Sequence, residues 1–367
     1  MRMFGEEVAV VGAGPAGLLT ALFINNYDIK VFEEHRHVGI PKHCAGFVGL
    51  ETYRILTALS SKEILDRAFD SVVFHTPRGS FKIDFPKPFI FRVNRPLLEE
   101  KLLDRVLSKG VEVNFGSKVK PANKPGSIVI DGYEYSFEWI IASDGLCSYF
   151  RRKYLGLKTR FLYGLNALFR QKGSVDEVHI IYSDLTPCFF TWYATTSDGY
   201  GFLGYGSHGY VDLFKISRLV EKKVGVKLLE RIEIYGGLIP FGVMLRKPVL
   251  NNVLFIGDSA YMIKPYTGGG LGIISRLAPI MGMSIDKGNF TEYLGVYERI
   301  RKRLLLEYLV TLPLRNRGYW IPAYILYFVE NVLGVDLDLV EVFDNHALLL
   351  IRTIPYLTLA LLHLVLS

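Results

Sequence analysis

Apolar and polar positions follow three successive patterns along the 367 residues. The first pattern is short continuous apolar runs. Glu6–Val11, Trp139–Ser143 and Asn252–Ile256 predict strands buried on both faces, as in a parallel sheet, with Asp28–Phe32 and Val111–Phe115 beside them. The apolar run after Gly17 predicts a helix, and Asn94-Arg95-Pro96 opens another that continues to Gly110, with Pro96 in its first turn. The second pattern is period two. Ser80–Phe85 within 71–93, then Glu177–Ser183, Cys188–Ala194 and Gly199–Leu203, predict strands of an antiparallel sheet inserted into the first unit, with a helix near Asp212–Lys223, while Ser127–Ile130 predicts a hairpin strand between Val111–Phe115 and Trp139–Ser143 of the first unit. The third is helical and apolar: a helix around Tyr297–Leu309 and the run Thr353–Ser367, which holds no formal charge apart from a possible one on His363. That run is short for a bilayer span. It reads either as a packed terminal helix or as an interfacial anchor.

These patterns divide the chain into a discontinuous nucleotide-binding unit (1–70, 90–158 and 250–290), a β-rich unit (71–89 and 159–249) and a helical region (291–367). The chemistry lies where the parallel strands end. Gly12-Ala13-Gly14-Pro15-Ala16-Gly17 is G-x-G-x-x-G between strand and helix. The first glycine permits the tight turn, the second lets backbone approach a pyrophosphate, and the third lets helix and strand pack closely. Glu33 ends the next strand, about twenty residues on, where a ribose-binding acid belongs. Asp144-Gly145, followed by Arg151 and Arg152, sits at the carboxyl end of another strand, where such folds bind ligands. Gly257-Asp258 and then Pro265–Leu271, with Gly268, Gly269 and Gly270 at a helix start, present backbone N–H groups to a ligand. A second literal G-x-G-x-x-G at Gly204, Gly206 and Gly209 lies among the antiparallel strands, with no parallel strand and acid behind it, so it does not predict a second nucleotide.

Composition adds two points. Half of the residues are hydrophobic, and the net charge is +7. Without a zinc spacing, an RNA-binding signature or a long basic run, that charge does not predict nucleic acid. Beside long apolar stretches it predicts an anionic membrane surface. Cys44, Cys147 and Cys188 form no C-x-x-C pair, and no leader pattern precedes the first strand, so the expected place is the cytoplasm, at the inner face of the cell membrane.

The order of these segments resembles the FAD-dependent oxidoreductases with the aromatic-hydroxylase fold, and within them the geranylgeranyl reductase family. Pro41-Lys42-His43-Cys44-Ala45-Gly46 is similar to the family's cysteine loop, Val93-Asn94-Arg95 to its arginine after a strand, and Gly257–Gly270 to its aspartate-to-glycine segment. The family's YxWxFP segment survives only in part, as Phe190–Thr195 around Trp192, and Ser259 and Tyr261 replace the usual small residues. The resemblance implies an α/β fold: a Rossmann-like FAD-binding domain, an inserted antiparallel β-sheet substrate domain and a C-terminal helical region. It implies that Glu33, with Glu34 beside it, serves the adenosine ribose, that Gly12–Gly17 serve the pyrophosphate, and that Asp258 serves the ribityl chain. Arg95, Asp144 and Gly145 would also contact the cofactor, and Pro265 and Gly268–Leu271 would face the pyrimidine edge of the flavin. Cys44, Ala45 and Gly46 would stand near the flavin at the substrate cavity.

The activity implied is saturation of isoprenoid double bonds of a lipid, such as an archaeal ether-lipid precursor, by hydride from reduced flavin. NAD(P)H or a small ferredoxin-like carrier would supply the electrons. Cys44 is the candidate to donate or relay a proton or tune access to the flavin, its alternative being a packing residue. His43 is the second catalytic candidate, against a structural role. Trp192, Tyr200 and Tyr266 are candidates to line the substrate cavity, or core aromatics. Cys147 and Cys188 read as structural. Two other functions fit the sequence: a flavin monooxygenase acting on another apolar compound, and a prenyl-lipid carrier without redox chemistry. The carrier fits less well, because the flavin-binding positions are filled.

Overall fold

The computed structural model describes residues 2–3, 7–124, 126–316, 318–337, 343–344 and 346–366. Its centre is a six-stranded sheet in the order Val249–Leu250, Val253–Phe255, Trp139–Ala142, Glu7–Val11, Asp28–Glu33, Glu112–Phe115. All pairings are parallel except that of the two-residue edge strand Val249–Leu250. Glu7–Val11 is buried along its whole length because helices Pro15–Leu22, Arg95–Ser108 and Leu271–Lys287 layer around the sheet. This burial explains the unbroken apolar runs. Ser127–Ile130 forms a hairpin with Tyr133–Ser136 in a separate four-stranded sheet.

The second large sheet has seven strands in the order Lys227–Pro240, Phe161–Lys172, Gly201–Ser207, Thr191–Thr195, Val178–Ile181, Ser71–Thr76, Gly79–Asp84. It is antiparallel except where Val178–Ile181 runs parallel to Ser71–Thr76. The strand expected from Cys188 begins only at Thr191. Pro187 removes a ladder donor, and the Phe189 N–H turns back to the Thr186 carbonyl at 3.1 Å. One face of this sheet carries helix Leu213–Val224, with Asp212 as its N-cap. Beneath that face lies a buried imidazole pair, His75 Nε2 to His179 Nδ1 at 2.9 Å, with Ser80 Oγ on His75 Nδ1 at 2.7 Å.

The other face meets the C-terminal helices. Tyr319, Ala323, Tyr324, Leu326, Phe328, Val329 and Ala360 share a core with Phe69, Val72, Phe81 and Trp192. Helix Leu357–Leu366 packs through Ala360 and through His363, whose Nδ1 meets the Tyr324 hydroxyl at 2.6 Å, while Leu359, Leu361 and Leu362 stay exposed. No helix among the described residues is long and apolar enough to cross a membrane.

Candidate cofactor and substrate site

A cavity of about 800 Å³ runs between the two sheets. At its polar end, Gly12 sits at φ +102°, its N–H donating to the Phe32 carbonyl at 2.8 Å, and a Cβ there would lie 2.4 Å from the Ser143 carbonyl oxygen. A Cβ on Gly17 would lie 2.1 Å from the Gly12 carbonyl oxygen. Packing alone demands both glycines. Gly14 is different: a Cβ on it would meet nothing within 4 Å, and it lines the cavity with Ala13, Pro15 and Ala16 at the start of the helix. That open space at a helix N-terminus is what a pyrophosphate requires.

Glu33 is buried at the end of its strand and faces the same turn. Its Oε2 accepts the Ala13 N–H at 2.8 Å, and its Oε1 accepts the N–H of His35 at 2.9 Å and pairs with His35 Nδ1 at 2.8 Å. Sequence reading missed His35, because a histidine two residues past the acid carries no motif. Glu34 stands exposed on the rim and pairs with Lys118 at 3.2 Å.

The cysteine loop is pinned at both ends. A Cβ on Gly39 would lie 2.6 Å from Pro96 Cα, and one on Gly46 would lie 2.2 Å from the Val93 carbonyl oxygen. Between them, Lys42 pairs with Glu233 at 2.6 Å, His43 Nδ1 donates to the Gly236 carbonyl at 3.0 Å, and the His43 carbonyl accepts from Asn166 at 3.3 Å. Gly237 leaves room for the His43 ring, since a Cβ there would lie 2.9 Å from its Nδ1. These contacts set Cys44 and Ala45 on the cavity wall near Arg95. Arg95, at the first turn of its helix, pairs with Glu99 at 2.6 Å. Burial opposes its charge, but Glu99 and Cys44 outweigh that and hold the guanidinium strongly protonated, while its buried Nε has no partner.

Asp144 accepts the N–H groups of Tyr149 at 2.8 Å and Phe150 at 3.4 Å through Oδ2, and its Oδ1 is buried without a partner. Burial pushes its carboxyl above the usual range, against the hydrogen bonds of Ser148, Phe150 and Tyr149. Gly145 lines the wall beside it. Asp258, next to Gly257 at φ +72°, is likewise raised by burial, against the nearby charges of Arg95, Arg151 and His43. The two arginines expected at this strand end do not face the ligand space. Arg151 is fully buried and donates to the carbonyls of Leu146, Asp258 and Ser259 and to the Thr159 hydroxyl, which makes it a brace. Arg152 lies over the Tyr149 ring. Cys147, read as structural, stands exposed on the cavity rim, whereas Cys188 is buried.

Pro265–Gly270 forms a closed loop. Lys264 N donates to the Gly269 carbonyl at 2.9 Å, Gly268 N donates to the Lys264 carbonyl at 2.8 Å, and Gly270 begins helix Leu271–Lys287. Gly268, Gly269, Gly270 and Leu271 line the cavity; Pro265 lies behind, its carbonyl accepting from Arg315 at 3.3 Å. Tyr266 lines the junction. Its hydroxyl donates to the Tyr319 carbonyl at 2.8 Å and accepts from the Tyr182 hydroxyl at 2.7 Å, and its N–H donates to Glu307 Oε1 at 2.8 Å. Tyr182, Lys264 and Glu307 also line the cavity and were not singled out in the sequence, since none belongs to a recurrent spacing.

The far end of the cavity is apolar, walled by Val72, Phe74, Ile83, Val178, Ile180 and Trp192 from the seven-stranded sheet, by Phe85 and Phe190 just outside its strands, and by Ala323 and Leu326 from the C-terminal helices. The second glycine triplet serves this wall. A Cβ on Gly204 would lie 2.3 Å from the Trp192 ring and one on Gly206 2.4 Å from the Phe189 ring, so these glycines are slots for aromatic rings. Tyr200, expected to line the cavity, does not. It closes the hairpin turn, donating its N–H to Thr196 Oγ1 at 3.0 Å and accepting the Thr196 N–H at 2.9 Å.

No family model matches the chain. It is 24% identical over 331 residues to a digeranylgeranylglycerophospholipid reductase of Methanococcus vannielii, an alignment covering 81% of this chain and 83% of the relative. Among solved structures, a geranylgeranyl bacteriochlorophyll reductase-like protein from Thermoplasma acidophilum superposes with a TM-score of 0.75 at 16% identity, over 89% of this chain and 91% of that one. The p-nitrophenol 4-monooxygenase PnpA from Pseudomonas putida superposes with a TM-score of 0.67 at 18% identity, over 95% and 99%. The second structure shares the fold, while the reductase likeness extends to sequence over four-fifths of the chain; with its glycine cradle and a cysteine loop on the cavity wall, the chain is similar in both sequence and fold to the geranylgeranyl reductases among the FAD-dependent oxidoreductases.

Proposed function

We propose that this protein saturates isoprenoid double bonds of a lipid, an archaeal-type ether-lipid precursor, by hydride transfer from reduced FAD. The observation that carries this reading is the continuity of the cavity, whose polar cradle opens directly into an apolar arm, with Cys44 at the wall near the cradle. An isolated alkene is a poor hydride acceptor, so the reaction needs a dry pocket that holds the reacting carbons in place. Bound FAD supplies the hydride. The chain supplies the rest. Gly12, Ala13 and Gly14 bind the pyrophosphate, Glu33 the ribose, Asp258 the ribityl chain, and Gly268–Gly270 the pyrimidine edge. The Cys44 thiol holds a proton at the junction. His43 anchors the loop through Gly236 and thereby orients that thiol. Phe190, Trp192 and Ala323 exclude water along the tail.

The substrate reaches the cavity from an anionic membrane surface at the inner face of the cell membrane. Leu309, Ile354 and Leu362 are more than half exposed, at 57%, 58% and 53%, and Arg299, Lys302 and Arg303 stand exposed on the helix that carries Leu309. NAD(P)H or a ferredoxin-like carrier reduces the flavin.

The deciding experiment is an anaerobic single turnover. The FAD-loaded protein is chemically reduced and mixed with a geranylgeranyl phospholipid, and the yellow colour and the lipid mass are followed. Reoxidation with two hydrogens gained per double bond supports the reading. A flavin that stays reduced until oxygen enters, with lipid unchanged, defeats it and favours a monooxygenase. A protein that takes up lipid but no FAD favours a carrier.

A further inference from the structure

Lys264 closes the glycine loop with its backbone and then folds its side chain back beneath it. A Cβ on Gly269 would lie 3.2 Å from Lys264 Cε and 3.9 Å from its Nζ, so the ammonium sits directly under the backbone of Gly269. Lys264 lines the cavity, and among the described residues its ammonium has one hydrogen-bond acceptor, the neutral Phe343 carbonyl at 3.2 Å. Three charged groups stand around it, of which Asp344 and Glu307 favour its charge through space. Asp344 accepts from Gly49 N, Thr52 N and Thr52 Oγ1, Glu307 Oε1 accepts from Tyr266 N, and Arg276 pairs with Glu51. Burial works against the ammonium charge and lowers its proton affinity, while Asp344 and Glu307 oppose that. With those carboxylates acting through space and one neutral carbonyl as its hydrogen-bond acceptor, the buried ammonium gains from an anionic group that completes its hydrogen-bond shell. The side of Lys264 left for that partner is the cavity.

We infer that Lys264 is the cation placed at the pyrimidine edge of the flavin, where it stabilises the negative charge that accumulates there on reduction and so raises the reduction potential of bound FAD. This rests on the FAD reading above. Charge near that edge is one of the means by which a protein tunes a flavin, and a preorganised charge at a water-poor site acts more strongly than in water. The N-terminus of helix Leu271–Lys287 adds its partial positive charge at the same place, and Lys264 adds a full one. Lys264 is thus a positioning and tuning residue, distinct from the proton-handling role proposed for Cys44.

The test uses the full-length FAD-loaded protein and its Lys264→Met and Lys264→Arg variants. Flavin content, thermal midpoint, reduction potential of the bound flavin and its dissociation constant for sulfite are measured together. Sulfite is a probe because its addition places the same negative charge on the ring. In Lys264→Met the preference for reduced over oxidised flavin should fall at least tenfold, about 30 mV for a two-electron couple. Sulfite should bind at least tenfold more weakly, and Lys264→Arg should recover most of both. If the methionine variant does not fold, Lys264→Gln is read in the same way. An unchanged potential and sulfite affinity with a lowered thermal midpoint would overturn the inference and leave Lys264 as a latch to the Phe343 carbonyl. Failure of the wild-type chain to take up FAD would also overturn it, and would be recognised as failure of the FAD reading because it precedes any substitution.

Discussion

The two ends of the cavity are built from different materials. The cradle end is backbone: Gly12, Gly14 and Gly17, a strand end and a helix start, with Glu33 bracing the turn through the Ala13 N–H. The apolar end is side chain: Trp192 and Phe189 lie across glycine slots in one sheet and are covered by helices from the far end of the chain. Backbone geometry tolerates few residue types, whereas an aromatic wall can be filled by many combinations of similar volume. The cradle end is therefore constrained residue by residue, while the apolar end can change its shape without losing the fold.

The largest test of this contrast is Gly12→Val. The side chain would have to occupy space 2.4 Å from a carbonyl oxygen at a φ of +102°, and overpacking with backbone strain should cost about 4 kcal/mol or more. Calorimetry should show a collapsed thermal midpoint and absorbance no retained flavin. Trp192→Ala empties part of the other end. It should cost about 3 kcal/mol, typical of a large aromatic lost from a core, yet keep stoichiometric FAD, because none of the cradle contacts involve it. Loss of FAD in this variant would show that the two ends are not separable.

Acid gives a third test, confined to the seven-stranded sheet. Burial holds both His75 and His179 down to about 4, against an ordinary 6.5, helped for His75 by its neighbours His179 and Lys223 and for His179 by Lys82 against Glu177. Between these values the unfolded chain binds more protons, so this contribution is complete above pH 6.5 and is lost as pH falls toward 4. Because the two rings are hydrogen-bonded and do not take up protons independently, about 3 kcal/mol should disappear over that window in denaturant titrations, and a His75→Phe/His179→Phe variant should flatten the dependence. The smallest effect is expected at Gly14→Ala. With no atom within 4 Å of the new methyl group, stability should change by less than about 0.5 kcal/mol, while the FAD dissociation constant rises at least about tenfold.

Legibility in the sequence followed the same division. Gly12–Gly17 and Glu33 are readable because their roles are local: the turn, the strand and the acid lie within about twenty residues. The cysteine loop and Arg95 were readable only through resemblance, since their meeting depends on Gly39 against Pro96 and Gly46 against Val93. Arg151 misled because a charge at a strand end looks the same whether it faces a ligand or, as here, three carbonyls. Tyr200 misled because period-two reasoning gives a face but not which end of a hairpin reaches the cavity. Lys264 and the Tyr182–Tyr266–Tyr319 chain of hydrogen bonds were not readable at all, since they join segments more than fifty residues apart.

Asp344 carries a consequence for biosynthesis. Its carboxylate accepts the N–H groups of Gly49 and Thr52 at the start of helix Leu50–Leu59, 295 and 292 residues earlier in the chain. At roughly 5–20 residues per second on a ribosome, that helix waits about 15–60 s for its cap. Pro322, Ala323 and Leu326, which close the apolar arm, emerge in the same late interval. The emerging polypeptide therefore presents an open cradle before its hydrophobic pocket has a roof; a nascent chain released short of residue 322 lacks both the roof and the helix cap, and one released between 327 and 343 lacks the cap alone.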